Sequence, residues 1–139
     1  MLDRFDMGGV FKFAMAGGGA CASYLFGGWS QLLGILLAFV VIDYIAGVSA
    51  SAIEGKLSSN VGRKGIAKKV LIFVIVAVAH LVDVALGDGN FFRDATIFFY
   101  LANETISILE NSGRIGLPIP EVLQKAIEIL KGKSQGDAK

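Results

Sequence analysis

The chain is short of most of what a soluble domain uses to face water. Only 18% of its 139 residues are charged, 13 Lys/Arg against 12 Asp/Glu, and none falls in the 30 residues between Lys12 and Asp43. Soluble domains carry about a quarter charged residues, enough to surround one core with polar surface. The lone cysteine, Cys21, allows no intrachain disulfide and no cysteine metal cage. The lone histidine, His80, completes no three-ligand zinc site without both neighbouring acids, and no Ser or Cys nucleophile is paired with it in a recognisable motif. A formal net charge of +1 provides no basic face for nucleic acid. These shortages argue against a water-soluble enzyme, a secreted disulfide scaffold, a nucleic-acid binder and a disordered chain. What the chain has in excess is apolar surface: 54% of residues are hydrophobic, and mean hydropathy is +0.64.

The apolar residues fall into four stretches, at 12–28, 32–53, 70–87 and 92–109. At a rise of ~1.5 Å per residue each is about 25–32 Å long, against a hydrocarbon core of ~30 Å. Backbone polar groups find no water there, so such spans must be helices. The expected fold is all-α: an integral membrane protein with about four transmembrane helices and a short C-terminal amphipathic helix. Residues 1–11 form a cytoplasmic N-terminus, 12–109 the transmembrane domain, and 110–139 a cytoplasmic tail. Gly18 and Ala22 on the first span and Gly47 on the second are small enough for close helix approach. Between spans two and three, Lys56, Arg63, Lys64, Lys68 and Lys69 oppose Glu54 alone. Such a basic loop sits in the cytoplasm against anionic lipid heads, which places both termini inside. Asn111-Ser112-Gly113 reads as a helix stop, and Pro120 as the first position of an amphipathic helix over 120–131. That helix suits the inner membrane face or a neighbouring helix.

Ionisable residues inside the apolar stretches are the sharpest signal, because a charge at the bilayer centre costs ~2.5–3.5 kcal/mol even on translocon scales. Asp43, His80 and Glu104 are expected at similar mid-membrane depth on three spans, with Asp83 on the face of His80 and Asn103 in the polar stripe of Glu104. His80 is expected to pair with Asp43 or Glu104. Such groups either fix helix packing by hydrogen bonding or line a pore, and the spacing leaves both readings open.

From Asp43-Tyr44-Ile45-Ala46-Gly47 onward the chain resembles the phage lysis and toxin-secretion holins of Gram-positive bacteria, their phages and prophages. The matching pieces are Gly55-Lys56-Leu57-Ser58-Ser59, Gly62-Arg63-Lys64-Gly65, Ala79-His80-Leu81-Val82-Asp83 and Phe99-Tyr100-Leu101-Ala102-Asn103-Glu104. Ser107-Ile108-Leu109-Glu110-Asn111 follows, and then Gly113-Arg114-Ile115-Gly116-Leu117-Pro118-Ile119-Pro120. The resemblance covers about two-thirds of the chain; the first 30 residues show no comparable match. It implies a homo-oligomeric protein of the bacterial cytoplasmic membrane that assembles lesions and releases an endolysin or a protein toxin. It also implies no enzymatic activity and no cofactor, with membrane lipids as the immediate partners. A small ion channel or transporter subunit, and a membrane anchor recruiting a cytoplasmic partner, are the competing readings.

Overall fold

The structure is a computed structural model that describes residues 6–87 and 89–135, except the side chain of Ser134. Asp88, residues 1–5 and the tail 136–139 lie outside it, so the N-terminal segment 1–11 is described only from residue 6. Every described element is a helix: α1 Met7–Phe26, α2 Gln31–Ile53, α3 Ser59–Leu86, α4 Phe91–Ile115 and α5 Glu121–Ser134.

Local chemistry sets the helix ends. Asp6 caps α1 by accepting from the Gly8 N–H, Ser30 caps α2 through Leu33, and Ser58 caps α3 through Val61. Gly27, Gly87 and Gly116 close α1, α3 and α4 in the left-handed region, where a residue without Cβ is unstrained. The stop expected at Asn111-Ser112-Gly113 does not occur, and α4 continues to Ile115. The reason is tertiary: the side chains of Asn111 and Arg114 are both tied to α2, which holds the last turn of α4 in place.

The third helix departs most from expectation. It begins at Ser59 rather than near Val70, so Arg63, Lys64, Lys68 and Lys69 are helical and only residues 54–58 connect α2 to α3. Lys56, Arg63, Lys64 and Lys68 are exposed, whereas Lys69 turns inward.

The core joins α2, α3 and α4. Leu33, Leu36 and Val40 meet Ile72 and Val76, and both groups meet Ile97 and Leu101. The outward faces of α2 and α3 are equally apolar. Val41, Ile45, Val70, Leu71, Val78 and Val84 are all about half-exposed. Only 22% of the most apolar window of α2 and 28% of that of α3 is buried, the reverse of a soluble core helix. A belt of this kind is a liability in water and is at home in lipid.

By length and apolarity, two of the described helices, α2 and α3, can cross a membrane, where four spans were expected. The other two differ for separate reasons. In α4 the polar stripe and its charges, Arg93, Asp94, Glu104, Glu110 and Arg114, dilute the apolar residues. In α1, glycines do so, and none of its residues is buried. Gly17, Gly18 and Gly19 have nothing within 4 Å of an added Cβ, so the small-residue face expected to pack is open in the protomer. α1 meets α3 at its C-terminal end, where Phe26 meets Phe73 edge to face at 6.4 Å.

The amphipathic helix α5 folds back along α4. Ala126, Ile127 and Leu130 are its half-buried residues, Leu130 packs against the core, and the Lys133 ammonium lies 5.1 Å from the centre of the Phe98 ring.

Candidate functional site

The three central helices carry their polar groups in two layers with the apolar core between them. The lower layer forms at the helix midpoints. Asp43 is one residue past the middle of α2, Glu104 one past the middle of α4, and Lys69 one turn before the middle of α3. The Lys69 ammonium sits between the Asp43 and Glu104 carboxylates and donates to both. Asp43 also accepts from the Asn111 amide at 3.1 Å, and Asn111 in turn accepts from Arg114 at 2.9 Å. Arg114 closes the chain with a bidentate contact to Glu54 at 2.9 and 2.7 Å. A single polar ladder therefore runs from mid-bundle to the end of α2, touching each of the three helices. Gly47 faces this ladder, and an added Cβ would stand 3.4 Å from the Asn111 nitrogen, in van der Waals contact with it.

One cation shared by two carboxylates suits a site of low dielectric, where an unpaired charge is far more costly than a paired one. Asp43 and Glu104 are each 5% exposed, so both acids are largely withdrawn from water. A cleft of 430 Å³ is lined by both acids together with Lys68, Lys69, Tyr100, Asn103 and Ser107. Asn103 itself is exposed.

At the lower end, just beyond the last residue of α2, the Glu54 carboxyl is held below its usual range, first by the hydrogen bond from Arg114 and then by the charges of Arg114 and Lys56, which together outweigh its desolvation. A depressed carboxylate stabilises the fold above its unfolded pKa of about 4.3, and that contribution fades as pH falls through the lower folded value. Glu54→Gln is therefore expected to lose stability relative to the parent at neutral pH. The two proteins should converge in acid, as checked by thermal unfolding in detergent across that range.

The upper layer joins α1, α3 and α4. Asp83, 1% exposed, accepts from the Phe92 and Arg93 N–H groups at 2.8 Å each. It thereby caps α4, whose own N-cap residue Asn90 makes no side-chain bond. The Arg93 guanidinium donates to the Phe26 carbonyl at 2.8 Å and to Asp94 at 3.0 Å, so α4 in turn satisfies the open end of α1. His80 is buried against the same turn, and its Nδ1 has no partner.

The expected pairing of His80 with Asp43 or Glu104 is not formed. Reckoned from Val70, His80 falls at mid-membrane. With α3 starting at Ser59 it lies eleven residues beyond Lys69, about 16 Å higher by helical rise, in the layer of Asp83 and Arg93. Nor are Asp43, His80 and Glu104 brought together as a three-ligand set. Several participants lay outside the expected set: Lys69, which the sequence places in the basic loop, Asn111, Arg114 and Glu54 in the lower layer, and Arg93 in the upper.

Gly27 is where His80 and Arg93 meet α1. Its φ is +73°, and an added Cβ would lie 2.6 Å from His80 Cε1 and 3.3 Å from an Arg93 nitrogen. Gly27→Ala is expected to destabilise the protein by about 1–3 kcal/mol through backbone strain and displacement of the ring. Denaturation in detergent measures this, and Gly28→Ala, with nothing within 4 Å, reports the strain of positive φ alone.

A small helical bundle that pairs its charges inward and turns aliphatic side chains outward along two long helices is a membrane protein. The sequence model of the bacteriophage holin family matches residues 20–132, and the chain belongs to that family. It is 52% identical over 128 residues to an uncharacterized protein of Listeria monocytogenes, covering 92% of this chain and 91% of the relative. An uncharacterized 14.9 kDa protein of Clostridium perfringens is 41% identical over 123 residues, 88% of this chain and 93% of its own. A probable holin of Bacillus phage phi105 is 34% identical over 109 residues, 78% of this chain and 80% of its own. No solved structure matches the chain.

Proposed function

We propose that the protein is a holin of the bacterial cytoplasmic membrane, whose copies associate laterally into lesions that let an endolysin, or a protein toxin, leave the cell. The observation that carries this reading is the family match over residues 20–132, with a phage probable holin among the relatives. The apolar outer faces of α2 and α3 support it by giving the protomer a lipid-facing wall. In this reading α1 and α4 complete four spans, with both termini entering from the cytoplasm on the side of Lys56, Arg63 and Lys64. The polar ladder acts as a clasp: while the Lys69 ammonium bridges Asp43 and Glu104, the three helices stay together as one unit in the membrane. The open glycine face of α1 is then available to neighbouring copies. No reaction and no cofactor is needed.

Co-expression with a cytoplasmic endolysin that has no export signal tests the reading. Abrupt lysis, requiring both proteins, is expected. Ion leakage with the endolysin retained would instead indicate a channel. Absence of toxicity, with function lost on deleting residues 118–131, would indicate an anchor.

A further inference from the structure

The position of α5 raises a solvation problem of its own. Its half-buried face, Ala126, Ile127 and Leu130, docks on α4, and Lys133 reaches Phe98, seven residues into α4 and about 10 Å along its axis. Because α4 packs against α2 and α3 between Arg93 and Asn111, this brings α5 to the depth of the apolar belt rather than to its edge. Directly opposite the docked face, Glu121, Lys125 and Glu128 share one exposed stripe at helical spacing. Hydrocarbon excludes ionised side chains, and the closed backbone of a helix does nothing to offset that. On the other side of the protomer, α2 and α3 present an unbroken aliphatic face. The two sides therefore call for two different solvents at one depth.

We propose that α5 lines the water of the assembled lesion: the α2–α3 face meets lipid, and the Glu121, Lys125 and Glu128 stripe faces the lumen. This rests on the holin reading and assigns the lumen wall to a helix that is too short and too polar to be a span. The Asp43, Lys69 and Glu104 clasp then stays closed in the open assembly, joining the lumen-lining hairpin to the lipid-facing pair.

Full-length protein carrying Cys21→Ser is reconstituted into vesicles with a spin label at Glu128→Cys. Val74→Cys on the outer face of α3 serves as the lipid reference, and Glu110→Cys on α4 as the partner for a distance measurement. Release of an enclosed folded protein is followed in the same vesicles. The expected result is several-fold higher accessibility to a water-soluble nickel chelate than to oxygen at position 128, and the reverse at position 74. The 128–110 separation should remain that of neighbouring helices, whose axes lie about 8–10 Å apart. If protein is released but position 128 is lipid-accessible, or α5 has parted from α4, the inference falls while the holin reading stands. If no protein is released, the holin reading falls and takes the inference with it.

Discussion

Lys69→Met is expected to destabilise the protein by about 3–5 kcal/mol, the usual consequence of removing one partner from a buried ion pair. The substitution nearly preserves the length and apolar packing of the stem but leaves Asp43 and Glu104 facing each other in a pocket where each is only 5% exposed. At the level of function, the three central helices lose their clasp, and lysis should be premature or absent at matched protein level. Neutralising both acids as well, in Lys69→Met/Asp43→Asn/Glu104→Gln, removes the repulsion and should recover most of the lost stability, because a fully neutral site no longer contains an unpaired charge. A triple variant no more stable than the single would show that Lys69 matters for its shape rather than its charge.

Asp83→Ala should be nearly as damaging, through backbone rather than charge. Two N–H groups at the start of α4 lose their acceptor; that of Arg93 is buried and its unsatisfied donor costs about 1–3 kcal/mol, while that of Phe92 is only part-buried and costs less. Asp83→Asn keeps one carbonyl oxygen and should fall between the alanine variant and the parent. Hydrogen exchange at the Phe92 and Arg93 amides separates a local effect from a global one. Rapid exchange confined to the first turn of α4 in the alanine variant is expected, whereas unchanged protection would remove Asp83 from its capping role.

Much of this arrangement is legible in the sequence, and the failures have identifiable causes. Asp43 and Glu104 announce themselves because an acid inside an aliphatic run has no reason to be there unless it meets a partner. Their partner is hidden because Lys69 closes a basic segment that reads as a loop by composition. Extending the stripe of Val76 and Ile72 back by one more turn would have placed Lys69 on the inner face of α3. The depth of His80 failed with it, since depth depends on where a helix begins. Asp83 looks like one more intramembrane acid; that it caps a helix other than its own depends on how α3 and α4 meet, and no local pattern encodes that. The polar stripe of α4 was visible as a stripe, yet the same residues lower the apolarity by which a span is recognised. α5 was legible as amphipathic, but its docking partner was set by the packing of α4.

Vesicles loaded with both a small dye and a folded protein of endolysin size, exposed to the reconstituted chain at increasing protein-to-lipid ratio, test the central claim most directly. The two contents are expected to escape together above a threshold ratio. Escape of the dye alone at every ratio, or of neither, would contradict a lesion-forming assembly.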